Sequence, residues 1–122
     1  IQKEVNIHFL TPRVSIDDLV IFCRQMYSLT KAGIPIIRAI TGLTSTRSLR
    51  LRAALLEVID NLEKGRNLSS ALAQHPKVFS QLFVSIVHVG ENTGQLDSAF
   101  LQLSHYLERE QETKKQIKSA TR

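Results

Sequence analysis

Residues 79–107 decide the fold, and they read FSQLFVSIVHVGENTGQLDSAFLQLSHYL. Ser80 is placed to cap a helix in which apolar residues recur three and four positions apart, and Gly94 interrupts that pattern before a second helix carries it on from Leu96. Gly90 lies on the apolar face of the first helix and adds no side chain to it. The stretch therefore predicts two amphipathic helices that are joined by a glycine turn and need the rest of the chain to cover them.

Four more helices are predicted upstream by the same periodicity. They cover residues 16–32 after the cap Ser15, residues 35–43 after a turn at Gly33, residues 49–64 after the cap Ser48, and a short stretch at 68–72. Only 6% of the residues are aromatic, which favours helix packing over a β-sandwich. The predicted fold is an all-α, six-helix antiparallel bundle. Its expected core residues are Leu19, Phe22, Met26, Leu55, Ile59, Leu62, Phe83, Ile86, Phe100 and Leu103.

The chain divides into an arm, a domain and a stalk. Residues 1–14 alternate weakly in polarity up to Pro12, which predicts an extended arm, and residues 15–107 form the helical domain. Residues 108–122 contain Ile117 as their single large apolar residue and predict a charged helical stalk. No run of about 18 apolar residues and no signal peptide is present. Because the chain begins at Ile1 and ends in a charged run at Arg122, we expect a domain of a longer protein.

Charge is distributed unevenly along the chain, whose formal net charge is +5. Between Val78 and Leu107 the only fully charged residues are Glu91 and Asp97. No acid lies between Leu19 and Leu56. A basic stretch can meet nucleic-acid phosphates, anionic lipids or an acidic protein surface, or it can be a solvated helical face. Four arginines of this stretch lie outside the apolar stripes and are predicted to face solvent as candidate interaction residues: Arg38, Arg47, Arg50 and Arg52.

Residue types that carry catalysis are sparse. The single cysteine, Cys23, cannot form an intramolecular disulfide or a cysteine-based zinc site, and it falls on the predicted core face of the first helix. None of the four histidines has metal-site spacing. Glu91 and Asp97 could share a cation, but calcium takes about six to eight oxygens, so a capping role is favoured. Without a phosphate loop, dinucleotide fingerprint or nucleophile elbow, we predict no catalytic residue, cofactor or metal and no enzymatic activity.

Two alternative functions remain open from the residues alone. The acid-free stretch and an isoelectric point near 9.7 suggest a basic helical nucleic-acid-binding domain, although no helix is dense in Arg, Asn and Gln. GIPIIRAI at residues 33–40 resembles GRNLSSAL at 65–72, which suggests a helical-repeat adaptor. That similarity is confined to the turns, so a recurring helix-turn pattern is the favoured interpretation.

Three stretches carry a resemblance to a known family. They are FCRQMYSLTKAGIP at residues 22–35, GRNLSSAL at 65–72 and GENTGQLDSAF at 90–100. Together they resemble the cytoplasmic domain of the type II secretion F family, the inner-membrane platform proteins of type II secretion systems and type IV pili. The strongest part of the signature is Gly90, Glu91, Gly94 and Leu96. Further signature positions are Arg24, Gln25, Gly33, Pro35 and Gly65.

The resemblance implies a non-enzymatic six-helix domain on the cytoplasmic face of the bacterial inner membrane. It implies coupling of an assembly ATPase to pilus or pseudopilus assembly, with other inner-membrane assembly proteins and pilins as partners. The resemblance also allows a homodimer and implies membrane attachment through segments not present here. We expect no binding of a specific nucleic acid.

Within the signature turn each residue has an expected role. Gly90 should permit close helix approach, and Gly94 should adopt a left-handed backbone. Glu91 should stabilise the turn or the N-terminus of the helix that follows it.

Overall fold

The structure, a computed structural model, describes residues 13–120 and places six α-helices there, with no strand among these residues. Most helix ends fall within two residues of the predicted ones, and the all-α bundle is confirmed. The last helix runs on without a break from the bundle into the predicted stalk. The helices are α1 (Ile16–Lys31), α2 (Ile36–Gly42), α3 (Leu49–Glu63), α4 (Leu68–Ala73), α5 (Gln81–Thr93) and α6 (Leu96–Ala120).

Side-chain caps begin four of these helices. The side-chain oxygen of each cap accepts a hydrogen bond from the backbone N–H three residues on, at 2.9–3.2 Å. Three of the caps, Ser15, Ser48 and Ser80, are those that the sequence predicts, and Asn67 is a fourth. Such a cap is worth about 1 kcal/mol, so each helix start is strongly specified by one local residue.

Three of the turns between helices contain a glycine in the left-handed conformation. Gly33, Gly65 and Gly94 have φ of +84°, +91° and +71°, and a new helix begins two or three residues after each. The similarity between residues 33–40 and 65–72 therefore reflects one turn used twice, followed by short helices of seven and six residues.

The first and last helices close the bundle. Each helix packs against the next one along the chain, and α1 also packs along α6. An aromatic cluster lies at this closure: the rings of Phe79 and Phe100 both lie with centroids 6.2 Å from that of Phe22. Of the ten predicted core residues, six are buried, and Leu19, Ile59, Leu62 and Ile86 are partly buried against the core.

Helix α6 keeps contact with α1 beyond the predicted end of the domain. Leu107 is the last buried residue, but Glu108 forms an ion pair with Arg24, and Gln111 donates a hydrogen bond to Asp17. Residues 112–120 are exposed. Most of the predicted arm lies outside the described residues, although Val14 packs against the core. Within residues 13–120, no helix has the length and apolar character needed to cross a membrane.

Candidate functional site

The signature turn between α5 and α6 is built on Gly94. This residue ends α5 with φ +71°, which is the left-handed backbone that the sequence predicts. Its N–H donates to the Gly90 carbonyl, and the N–H of Gln95 donates to the same oxygen at 2.7 Å. A Cβ at position 94 would meet no atom within 4 Å, so glycine is favoured there by backbone conformation alone.

Gly90 is required for a different reason, which is close helix approach. A Cβ at this position would lie 2.6 Å from the Ala99 Cβ on α6 and 3.1 Å from the Gln95 carbonyl oxygen. Real carbon contacts are about 3.5–4 Å, so any side chain would push α5 and α6 apart. The expected close approach at Gly90 is therefore present, and Ala99 is the residue that faces it.

Glu91 caps a helix, but not the one that the sequence led us to expect. Its carboxylate accepts the backbone N–H groups of Leu68 at 2.9 Å and Ser69 at 3.0 Å, and it also accepts the Ser69 hydroxyl. These groups form the N-terminus of α4, which precedes Glu91 by more than 20 residues in the sequence. The interaction satisfies donors that a helix start leaves unpaired and places a negative charge at its positive end.

A hydrogen-bond chain extends from this carboxylate to the surface. His88 Nδ1 lies 3.1 Å from the Ser69 hydroxyl oxygen, and His88 Nε2 lies 3.1 Å from Asn92 Nδ2. The three hydrogen bonds of this chain can form together if Asn92 donates to His88 Nε2, His88 Nδ1–H donates to Ser69, and the Ser69 hydroxyl donates to Glu91. Although serine, histidine and glutamate meet here, Ser69 is only 4% exposed and its proton is directed at the carboxylate. The arrangement therefore ties α5 to α4.

The four candidate arginines do not form one uniform surface. Arg38 and Arg52 are exposed, as predicted. Arg47 is also exposed, but it lies 3.5 Å from the Asp18 carboxylate and is partly neutralised. Arg50 is half-buried, which corrects the expectation that all four face solvent. Helical spacing explains the difference, because Arg50 and Arg52 are two residues apart on α3 and project from opposite sides.

Comparison with known proteins identifies the fold family. Residues 22–122 match the model of the family described as "Type II secretion system (T2SS), protein F". The chain is 36% identical over 98% of its length to a type IV pilus assembly protein PilC from Thermus thermophilus. It is 32% identical over 88% of its length to a type II secretion system protein F from Vibrio cholerae, and 32% over 84% to a PilC from Myxococcus xanthus.

The chain belongs to the type II secretion F family. It spans 30%, 27% and 25% of the lengths of the three relatives, in the order Thermus, Vibrio and Myxococcus. The matched region therefore corresponds to one part of a longer protein in each of those relatives.

The other signature residues do not cluster around the turn at Gly94 but lie on α1 and in the turns before α2 and α4. Arg24 links α1 to α6 through Glu108, which directly follows the last buried residue of α6. Gln25, one residue on, is exposed at the side of α1 that faces α2. Gly33 and Gly65 form left-handed turns, and Pro35 immediately precedes α2. Gly33, Pro35 and Gly65 thus belong to the turns before α2 and α4, whereas Arg24 and Gln25 present exposed side chains on α1.

Within residues 13–120, no group of three or more His, Cys, Asp or Glu side chains is arranged so that it could hold a metal ion. The Glu91 carboxylate is occupied by the start of α4, and Asp97 accepts the N–H of Ser98 at 2.8 Å near the start of α6. Burial raises the pKa of the Cys23 thiol, which keeps it protonated.

The sequence predicted no role for two residues of the fold, Ser69 and Gly42. Ser69 lies in the quoted GRNLSSAL turn, but no local pattern pairs it with Glu91.

Proposed function

We propose that this chain is the cytoplasmic domain of an inner-membrane platform protein that serves type IV pilus assembly or type II secretion. The family match over residues 22–122 is the observation that carries the proposal, supported by relatives named for both processes. In this role the protein couples an assembly ATPase to the insertion or extraction of pilin subunits. The domain performs no catalysis itself and acts as a mechanical part.

The architecture suits transmission of force. Helix α6 contains 25 residues and is therefore about 37 Å long, with its first half inside the bundle and residues 112–120 exposed. The contact of α6 with α1, including the Arg24–Glu108 ion pair, joins the two ends of the bundle. A displacement applied to the bundle would be carried along α6 because a continuous hydrogen-bonded helix is stiff along its axis.

We place the domain at the cytoplasmic face of the inner membrane, with attachment through segments outside this chain. Its partners in this proposal are the assembly ATPase, other inner-membrane assembly proteins, pilins and, in a homodimer, a second copy. Contacts with these partners use the surface, and Arg38 and Arg52 are its exposed basic candidates. Such exposed charges chiefly affect the rate of encounter and its salt dependence.

Two genetic experiments test the proposal. Deleting the gene for the full-length protein should abolish surface pili or secretion, and wild-type protein supplied from a plasmid should restore the process. Retention of both pili and secretion in the deletion strain would refute the platform function.

The second experiment tests the basic surface in the complemented strain. We choose Arg38→Glu with Arg52→Glu, because Arg47 is already paired and a glutamate at half-buried Arg50 would disturb folding. The matched control is Lys77→Glu with Arg109→Glu, which makes the same charge change at exposed positions elsewhere. The arginine variant should lose assembly at normal protein level and melting temperature, whereas the control should retain it. Normal assembly in the arginine variant would remove this surface from the proposed contacts.

A further inference from the structure

A groove runs along the surface between α1 and α2. It consists of two depressions of about 480 and 360 Å³. Both are lined by Gln25, Gly42 and Leu43, so they meet at this point and form one continuous groove. It lies on the outside of the bundle and is open to a protein segment.

The lining of the groove is largely apolar. Leu29 and Ile34 contribute to the larger depression, and Ile21, which is 50% exposed, contributes to the smaller one. A partner side chain placed here would remove apolar surface from water on both molecules, which is the main source of affinity in protein contacts.

Positive charge lies on both sides of the point where the two depressions meet. Arg38 lines only the larger depression, and Arg47 lines only the smaller one. Asp18 is the one carboxylate in the lining, and it is already paired with Arg47. The side chain of Arg47 is nevertheless 82% exposed, so it can also reach a second carboxylate. The groove is therefore complementary to an apolar segment with acidic residues on either side.

Gly42 supplies an independent observation. The chain has five glycines; Gly33, Gly65 and Gly94 have positive φ, and Gly90 is required by the close approach of Ala99. Gly42 has neither reason, because it ends α2 without positive φ and a Cβ there would meet nothing within 4 Å. Without a positive φ, glycine has no conformational advantage over alanine and loses more chain entropy on folding, and no contact within the described chain accounts for it here. A bare backbone at this point lets another molecule approach α2 closely.

We propose that this groove docks an acidic amphipathic helix of a protein partner. Apolar side chains of that helix lie between α1 and α2 over Gly42, and its Asp or Glu residues pair with Arg38 and, more weakly, with Arg47. Recognition of a helix through regularly spaced apolar anchors is a recurrent mode of peptide binding. The inference rests on the proposed function, in which the domain works through protein contacts.

Site-specific photo-crosslinking in the full-length protein in its own cells tests the proposal. The photoreactive residue p-benzoylphenylalanine replaces Ser28, which is exposed at the rim of the groove, and the crosslinked peptide is identified by mass spectrometry. We expect an adduct with an acidic amphipathic helix of another protein. An adduct only with lipid, with nucleic acid or with a second copy of this chain, or no adduct, would overturn the proposal.

Matched variants separate docking from folding. Gly42→Phe should fill the groove and reduce the Ser28 adduct at least tenfold, whereas Ala53→Phe, at an exposed position on α3, should leave it unchanged. Arg38→Glu should reduce the adduct at least fivefold, and Arg38→Lys should retain most of it. An undiminished adduct in both Gly42→Phe and Arg38→Glu would also overturn the proposal. If the deletion strain loses pili or secretion while the adduct fails these tests, the docking inference falls and the platform function stands.

Discussion

Replacing Glu91 with glutamine should destabilise the domain far more than an ordinary surface substitution. The carboxylate is 14% exposed and accepts two backbone N–H groups at 2.9 and 3.0 Å, together with the Ser69 hydroxyl. Glutamine keeps one acceptor oxygen but turns an NH₂ group toward the other donor. At least one buried donor is then left without a partner.

The magnitude follows from two losses. A hydrogen bond to a charged group contributes about 1.5–3 kcal/mol, and a negative charge at a helix N-terminus contributes about 0.3–1 kcal/mol. We therefore expect Glu91→Gln to lower the free energy of unfolding by about 2–4 kcal/mol. Glu91→Ala, which removes both oxygens, should cost at least as much.

Urea denaturation followed by circular dichroism measures this loss. Glu63→Gln is the matched control, because Glu63 is exposed at the end of α3, and its change should stay within about 0.5 kcal/mol. In a double-mutant cycle with Ser69→Ala, the two losses should be clearly non-additive because the side chains are bonded to each other. A Glu91→Gln midpoint equal to that of Glu63→Gln would refute the capping role.

Three other changes have defined outcomes. Gly90→Ala should lower the free energy of unfolding by about 1–3 kcal/mol, because its Cβ would lie 2.6 Å from that of Ala99. The Cβ of Gly42→Ala meets open space, so this variant should be neutral or more stable by up to about 1 kcal/mol. Equal urea midpoints for the two variants would contradict this. Gly94→Ala should cost roughly 1 kcal/mol or more through its positive φ, and an unchanged midpoint would show that the turn tolerates a side chain. The Cys23 thiol is fully buried, and burial raises its pKa. A thiol reagent should therefore label it at least about 100-fold faster in concentrated guanidinium chloride than in the native state. Equal labelling rates would contradict its burial.

The helices and their ends could be predicted because they depend on residues close together in sequence. Ser15, Ser48 and Ser80 each bond to a backbone N–H three residues on, and that spacing is visible in the sequence. The left-handed turn at Gly94 is also local, because it depends on the backbone of one residue. Apolar periodicity likewise identified the core face of each helix, and six of the ten named core residues are buried.

The partners of the functional residues could not be predicted because they come from distant parts of the chain. Glu91 was expected to act within its own neighbourhood, yet it holds the start of α4, since the packing of α5 on α4 brings the two together. The groove could not be predicted either, because residues of α1, α2 and the following loop meet there only after the helices pack.

The sequence by itself determined the helix boundaries, the glycine turns and the family of this protein, because caps, left-handed turns and apolar periodicity act over a few residues. Only the tertiary structure decided that Arg24 pairs with Glu108, that Arg50 is half-buried, and that Gly42 lies open in a groove. Side-chain reach and helix packing geometry set those distances. A one-dimensional pattern does not contain them.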